Sequence, residues 1–174
     1  MNDLLLLSML IGQPKHGYRL KREAGLMMGQ GAMHNNLVYP LLRRFVAEGL
    51  VTQKKVQGER GQTRKVYELT SLGRRTLIER LSQYDEQDAL ELEPFLIRVG
   101  LFAALPSEVC ERILTTRERA LYDRDQKLAA LQKGMDLGLY GGDIVAHLRE
   151  TFAAELSWIR HLHQLHKKER GKPR

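Results

Sequence analysis

Residues 35–55 read NNLVYPLLRRFVAEGLVTQKK, and the reading of the N-terminal half depends on how this stretch lies on a helix. At about 100° per residue, Val38, Leu41, Leu42 and Phe45 share one narrow sector, which marks a buried helix face. Asn36, Tyr39, Pro40, Arg43 and Ala47 fall opposite it. Asn35 or Asn36 can cap the first turn, Pro40 lies close enough to the start to be tolerated, and Gly49 offers a left-handed stop. The outward side is therefore amide, phenol and guanidinium, with little acid to neutralise it. Such side chains hydrogen-bond to base edges and phosphates.

The flanking segments give this helix a context. LVTQKKVQ at 50–57 and RKVYELT at 64–70 alternate in polarity and are partly β-branched, with the glycine-bounded turn GERGQ between them, so they form a hairpin. Lys54, Lys55, Arg64 and Lys65 sit on its strands and Arg60 at its tip. A two-stranded hairpin is barely stable alone and has to pack on helices. Upstream, DLLLLSMLIG at 3–12 is apolar nearly all round, a short core helix begun by Asn2 or Asp3 and stopped by Gly12 and Pro14. HGYRLKREAGLMM at 16–28 spaces Tyr18, Leu20, Ala24, Met27 and Met28 as a helix does and leaves Arg19, Lys21, Arg22 and Glu23 to solvent. Downstream, TSLGRRTLIERLSQY at 70–84 reads as a helix capped by Thr70. Three helices followed by a basic two-stranded wing make a winged helix-turn-helix, which places its third helix in the major groove and its wing along the phosphates or in the minor groove. The expected DNA contacts are Asn35, Asn36, Tyr39, Arg43 and Arg44 from the helix, with Lys54, Lys55, Arg60, Arg64 and Lys65 from the wing.

Charge divides the chain in the same way. Of the 174 residues, with formal net charge +7, residues 1–80 hold 14 Lys and Arg against 6 Asp and Glu, and residues 81–174 hold 14 against 15. The excess positive charge lies wholly in the first part, which points that part at a polyanion, either nucleic acid or an anionic membrane surface. The longest apolar run, LLLLSMLI at 4–11, is too short to span a bilayer and lacks the flanks of a signal peptide. A single cysteine, Cys110, reads as a small buried hydrophobe in a reducing cytoplasm.

Beyond residue 85 the pattern is helical throughout. ELEPFLIRVGLFAAL at 91–105 is apolar enough to be buried, and Pro106-Ser107-Glu108 begins a long helix reaching about Met135, with a stripe through Val109, Ile113, Ala120, Leu121, Leu128, Leu131 and Met135. GLYGG at 138–142 is expected to turn the chain, and Asp143 to cap a last helix carrying Ile144, Leu148, Phe152, Leu156, Ile159 and Leu162. At 1.5 Å per residue each long helix reaches on the order of 40 Å, so these stripes are expected to pair with a second chain, with a hairpin of the two helices within one chain as the alternative. His163 and His166 stand three apart but lack further metal ligands at suitable spacing. Trp158 is a candidate stacking surface for a flat ligand.

Residues 4 to about 80 resemble the PadR family of transcriptional regulators. HGYRL at 16–20, VYPLLRRFVAEGLV at 38–51 and RKVYELTSLGRRTL at 64–77 follow that family's motifs in order and spacing. The resemblance implies a cytoplasmic, dimeric bacterial repressor with a helical C-terminal dimerisation region and release from DNA by a small aromatic or drug-like ligand. Where the family usually carries Gly-Thr-Leu before Tyr-Pro, this chain has Asn36, Leu37 and Val38, so the operator sequence does not transfer.

The expected architecture is thus mainly α: a winged helix-turn-helix over 1–84 and an all-helical dimerisation and ligand-sensing region over 85–174. The expected partners are a two-fold operator in double-stranded DNA, a second copy of the chain and a small aromatic effector, with no cofactor, no metal and no membrane. A winged helix used only for protein contact is the alternative, and would need an apolar patch where the hairpin carries cations. No nucleophile with its base, phosphate loop or metal cluster suggests an enzyme.

Overall fold

The computed structural model describes residues 2–28, 35–57 and 63–170. The chain forms two compact units, Met1–Gln83 and Tyr84–Arg174.

The first unit opens with α1 (Asn2–Ser8), β1 (Lys15–His16), α2 (Gly17–Met28) and α3 (Asn35–Ala47), followed by β2 (Val51–Gln57), β3 (Thr63–Leu69) and α4 (Ser71–Ser82). Helix α1 stops four residues short of Gly12. The Ser8 hydroxyl donates to the Leu5 carbonyl at 2.6 Å, and Leu10 and Ile11 bond back three residues rather than four, a tightened turn that still buries Leu10. The sheet has three antiparallel strands in the order β1-β3-β2, not the expected two. Lys15 and His16 pair with Tyr67 and Val66, so α2 begins only at Gly17. Tyr18, expected on the buried face of α2, is 69% exposed in consequence.

Helix α3 lies as its periodicity dictates, with Val38, Leu42 and Phe45 fully buried. Gly49 ends it at φ 70°, a left-handed conformation that costs glycine nothing. Thr70 then caps α4 by accepting from the Gly73 amide at 2.9 Å, while its hydroxyl lies 2.8 Å from the Gly49 carbonyl. Gly73 is required for this closure, because a Cβ there would come within 2.0 Å of the Leu50 carbonyl oxygen. The start of α4 is therefore clamped onto the turn between α3 and the wing.

The second unit contains α5 (Leu92–Val99), α6 (Ser107–Gly134) and α7 (Gly138–Arg170), with short 3-10 turns at Asp88–Leu90 and Phe102–Ala104. Helices α6 and α7 form an antiparallel hairpin, pinned near its middle by Arg117 on Glu155 and Arg149 on Asp125. Only the first glycine of GLYGG serves the turn, and Asp143 is not the cap. The turn lies at 135–137, where an Asp136 carboxylate oxygen accepts from the Gly138 amide at 2.9 Å and Gly138 takes φ 61°. That aspartate supplies the turn chemistry one step earlier. Gly141 and Gly142 are then carried inside α7 at about 1 kcal/mol each. Among the described residues no helix is long and apolar enough to cross a membrane.

Candidate nucleic-acid interface

Helix α3 presents Asn36, Tyr39 and Arg43 together on its exposed side, and the described residues give Arg43 no acidic partner. Behind them stands Tyr67 of β3, only 2% exposed. Burial pushes the Tyr67 phenol above its usual range, the nearby Tyr39 adds to this, and Arg43 pulls it back. Tyr67 therefore stays a neutral phenol behind the exposed face of α3, linking the sheet to that surface.

Arg44 is placed differently from its neighbour. One residue further round the helix, it reaches Asp3 of α1 at 3.3 Å and Glu48 at 3.5 Å and lies over the Phe45 ring. Asp3 also holds Arg80 of α4 at 3.5 Å. Arg44 thus ties α3 to the body of the unit, whereas the sequence reading had it facing DNA. The side chain of Asn35 and all of Arg60 lie outside the described residues.

On the wing, cross-strand register arranges the cations. Lys54 is paired to Glu68 at 3.2 Å. Lys55 sits directly opposite Lys65, and both are exposed. Directly opposed like charges destabilise a ladder, so this pair weakens the isolated wing and favours an anion laid across it. Arg64, opposite Val56, adds a third exposed cation near the tip.

The second unit uses its charges internally. Arg117 is 3% exposed, makes a two-pronged contact with Glu155 at 2.8 and 2.9 Å and donates to the Ala89 carbonyl at 2.7 Å. Arg98, equally buried, holds Asp88 at 2.7 Å and the Pro94 carbonyl at 2.9 Å and lies over the Tyr84 ring. Trp158 meets Phe95 edge-on at 5.8 Å, a packing role for the indole. His163 lies between Glu111 and Glu118, and His166 bonds Ser107. Cys110 is fully buried and its thiol is pushed up to about 11 by that burial.

Of the residues expected to pair with a second chain, Ile113, Leu121, Phe152 and Ile159 are already buried within one copy. Leu128, Leu156 and Leu162 are half-buried. Leu131, Met135, Ile144 and Leu148 remain exposed, and they are joined by Leu139 and Tyr140, which the stripe reading had not put at an interface. A stripe at helical spacing does not say which chain covers it. The residues the reading missed on the first unit are His16, Tyr18 and Arg19, which border Tyr39 and the wing across a shared cleft.

Solved structures similar to the chain include Bacillus subtilis PadR in complex with operator DNA, at 18% identity over 94% of this chain and 98% of that one, TM-score 0.46. The same Bacillus protein in complex with p-coumaric acid gives 17% identity over 95% and 98%, TM-score 0.42. A PadR family transcriptional regulator from Eggerthella lenta is 33% identical over 45% of this chain and 66% of its own length, TM-score 0.38. No curated relative matches the chain. The model of the transcriptional regulator PadR-like family matches residues 6–79, a span running from α1 into α4. This match falls within the N-terminal unit, the part of the chain that carries α3 and the basic wing, and marks that unit as similar to the PadR-like family.

Proposed function

We infer that the chain is a sequence-specific DNA-binding transcriptional regulator, a homodimeric cytoplasmic repressor released from a two-fold operator by a small aromatic effector. The observation that carries DNA binding is the pairing of two neighbouring surfaces. One is the exposed Asn36, Tyr39 and Arg43 on α3, and the other is the like-charged Lys55 and Lys65 on the wing. The first has side chains suited to base edges, the second only to a polyanion.

Residues 1–84 bind DNA in this reading, and residues 85–174 bring two copies together. The dimer contact falls at the turn end of the α6–α7 hairpin, where Leu139 and Tyr140 are each 82% exposed and Met135 and Ile144 each 59%. Apolar surface so concentrated in a chain of this size marks a contact site. Footprinting on DNA upstream of the chain's own coding sequence should give a protected two-fold site with half-sites about one helical turn or a multiple apart. Random and upstream DNA bound with equal affinity would end the sequence-specific reading. In sedimentation, Leu139→Glu combined with Ile144→Glu should convert a dimer to monomers. A dimer that survives the change places the contact elsewhere.

A further inference from the structure

One line of residues runs along the exposed side of α3. At about 100° per residue, Asn36, Pro40, Arg43 and Ala47 fall within roughly 60° of one another, and all four are exposed. Among the described residues no hydrogen bond or ion pair takes up the side chain of Asn36 or of Arg43. We propose that this line reads a half-site in which an adenine and a guanine lie two or three base steps apart, Asn36 taking the adenine and Arg43 the guanine. The proposal rests on the DNA-binding reading above and deepens it from sequence-specific binding to a stated pair of bases.

The side chains set the bases. A carboxamide offers a donor and an acceptor together, which match N6 and N7 of adenine in the major groove. A guanidinium offers donors only, which match O6 and N7 of guanine. Pro40, between them, has no side-chain hydrogen-bonding group and suits an apolar neighbour such as a thymine methyl.

The helix sets the spacing. From Asn36 to Ala47 the line runs about 16 Å at 1.5 Å per residue. That exceeds the roughly 12 Å width of the major groove, so α3 follows the groove rather than crossing it. Asn36 and Arg43 are about 10 Å apart along the helix, at most about three base steps of 3.4 Å. The groove floor winds as it rises, so each step takes a longer path and the count is two or three.

Packing holds the two flanks of the line. On one side Arg44 is engaged by Asp3 and Glu48. On the other the Tyr39 ring is packed at the start of α2, where a Cβ on Gly17 would come within 3.0 Å of it. With both flanks fixed, the line between them is the part of α3 that can adjust to base edges.

The test uses the full chain and selects bound sequences from a duplex library with a randomised core, then titrates the enriched sequence and its single-base variants. The enriched half-site should hold an A·T and a G·C pair two or three steps apart. Asn36→Ala should lower the preference at the A·T pair alone, and Arg43→Ala at the G·C pair alone, each by about tenfold or more. Arg43→Gln should exchange guanine for adenine at its one position, because a carboxamide then stands where the guanidinium stood. Circular dichroism melts on each variant separate an altered preference from a lost fold. A folded Arg43→Gln chain that still prefers guanine removes Arg43 from the bases and overturns the assignment. Variants that change preference at no single base pair, or at pairs outside this spacing, also overturn it, and both results leave sequence-specific binding standing. Enrichment of no sequence by a folded chain overturns the function proposed above and the half-site with it.

Discussion

In the N-terminal unit Arg43 stands exposed on α3, whereas in the C-terminal unit Arg98 and Arg117 are each 3% exposed and have carboxylate and carbonyl partners. The same side chain therefore meets opposite electrostatic conditions. A buried guanidinium is tolerated only when its donors are satisfied, because desolvating a charge costs several kcal/mol. An exposed one costs little in the free protein and keeps its donors for a partner that arrives later. The contrast extends to the neighbouring residues: Arg44, one position from Arg43, is bound to Asp3 and Glu48 and belongs with the structural arginines despite its place on α3.

The hardest way to break this comparison is to remove a buried partner. Arg117→Ala leaves the Glu155 carboxylate, only 12% exposed, without its two-pronged contact, and should cost about 3–5 kcal/mol in denaturant unfolding of the full chain. Replacing both partners together, as Arg117→Met with Glu155→Leu, should cost clearly less, since no unpaired charge remains. Equal losses in the single and double variants would mean that packing against Phe95, not charge, is what Arg117 supplies.

Arg43 should behave in the reverse manner. Arg43→Ala should leave stability within about 0.5 kcal/mol, as exposed positions generally do. It should cost about 1–3 kcal/mol of operator binding and relax discrimination at one or two base positions. Titration of operator and single-base variants checks both statements. A fall in stability equal to the fall in affinity would put Arg43 among the structural arginines. Arg44→Ala sharpens the contrast: its Asp3 and Glu48 contacts predict a measurable loss of stability with a smaller change in base preference.

How much of this was legible in the sequence depends on whether the signal was local. The buried face of α3, the alternation of β2 and β3 and the Thr70 cap each need only a short window, and each appears where its pattern placed it. Strand β1 could not be seen that way, because Lys15 and His16 have no alternation of their own and are a strand only through pairing with Val66 and Tyr67. That missing strand shifted the start of α2, and with it Tyr18. The turn at Asp136 was passed over because GLYGG, with its three glycines, gave the stronger breaker signal. Arg117 is buried on account of Glu155, 38 positions away, and Ile113 and Phe152 are buried by the fold of their own chain. The exposure of Asn36, Tyr39 and Arg43 was readable from helical phase. The ion pair of Arg44 was not, since its partner Asp3 lies on another helix.

The smallest expected effect is the most discriminating, because it should move stability and binding in opposite directions. Lys55 and Lys65 are Cα partners in the ladder and project from the same face, so their charges repel across one cross-strand distance. Lys65→Glu turns that repulsion into attraction and should stabilise the chain by about 0.2–1 kcal/mol. The gain should shrink as salt is added and surface charges are screened. The same change puts a carboxylate where a phosphate is proposed to lie. DNA affinity should fall on operator and random duplex alike, and the slope of log K against log salt should drop by about 1 or more. Thermal melts at low and high salt, set beside titrations at several salt concentrations, give both quantities on one variant. A loss of stability would reveal a folded-state role for Lys65, and an unchanged salt slope would take the wing off the phosphates, leaving α3 alone to carry the DNA reading.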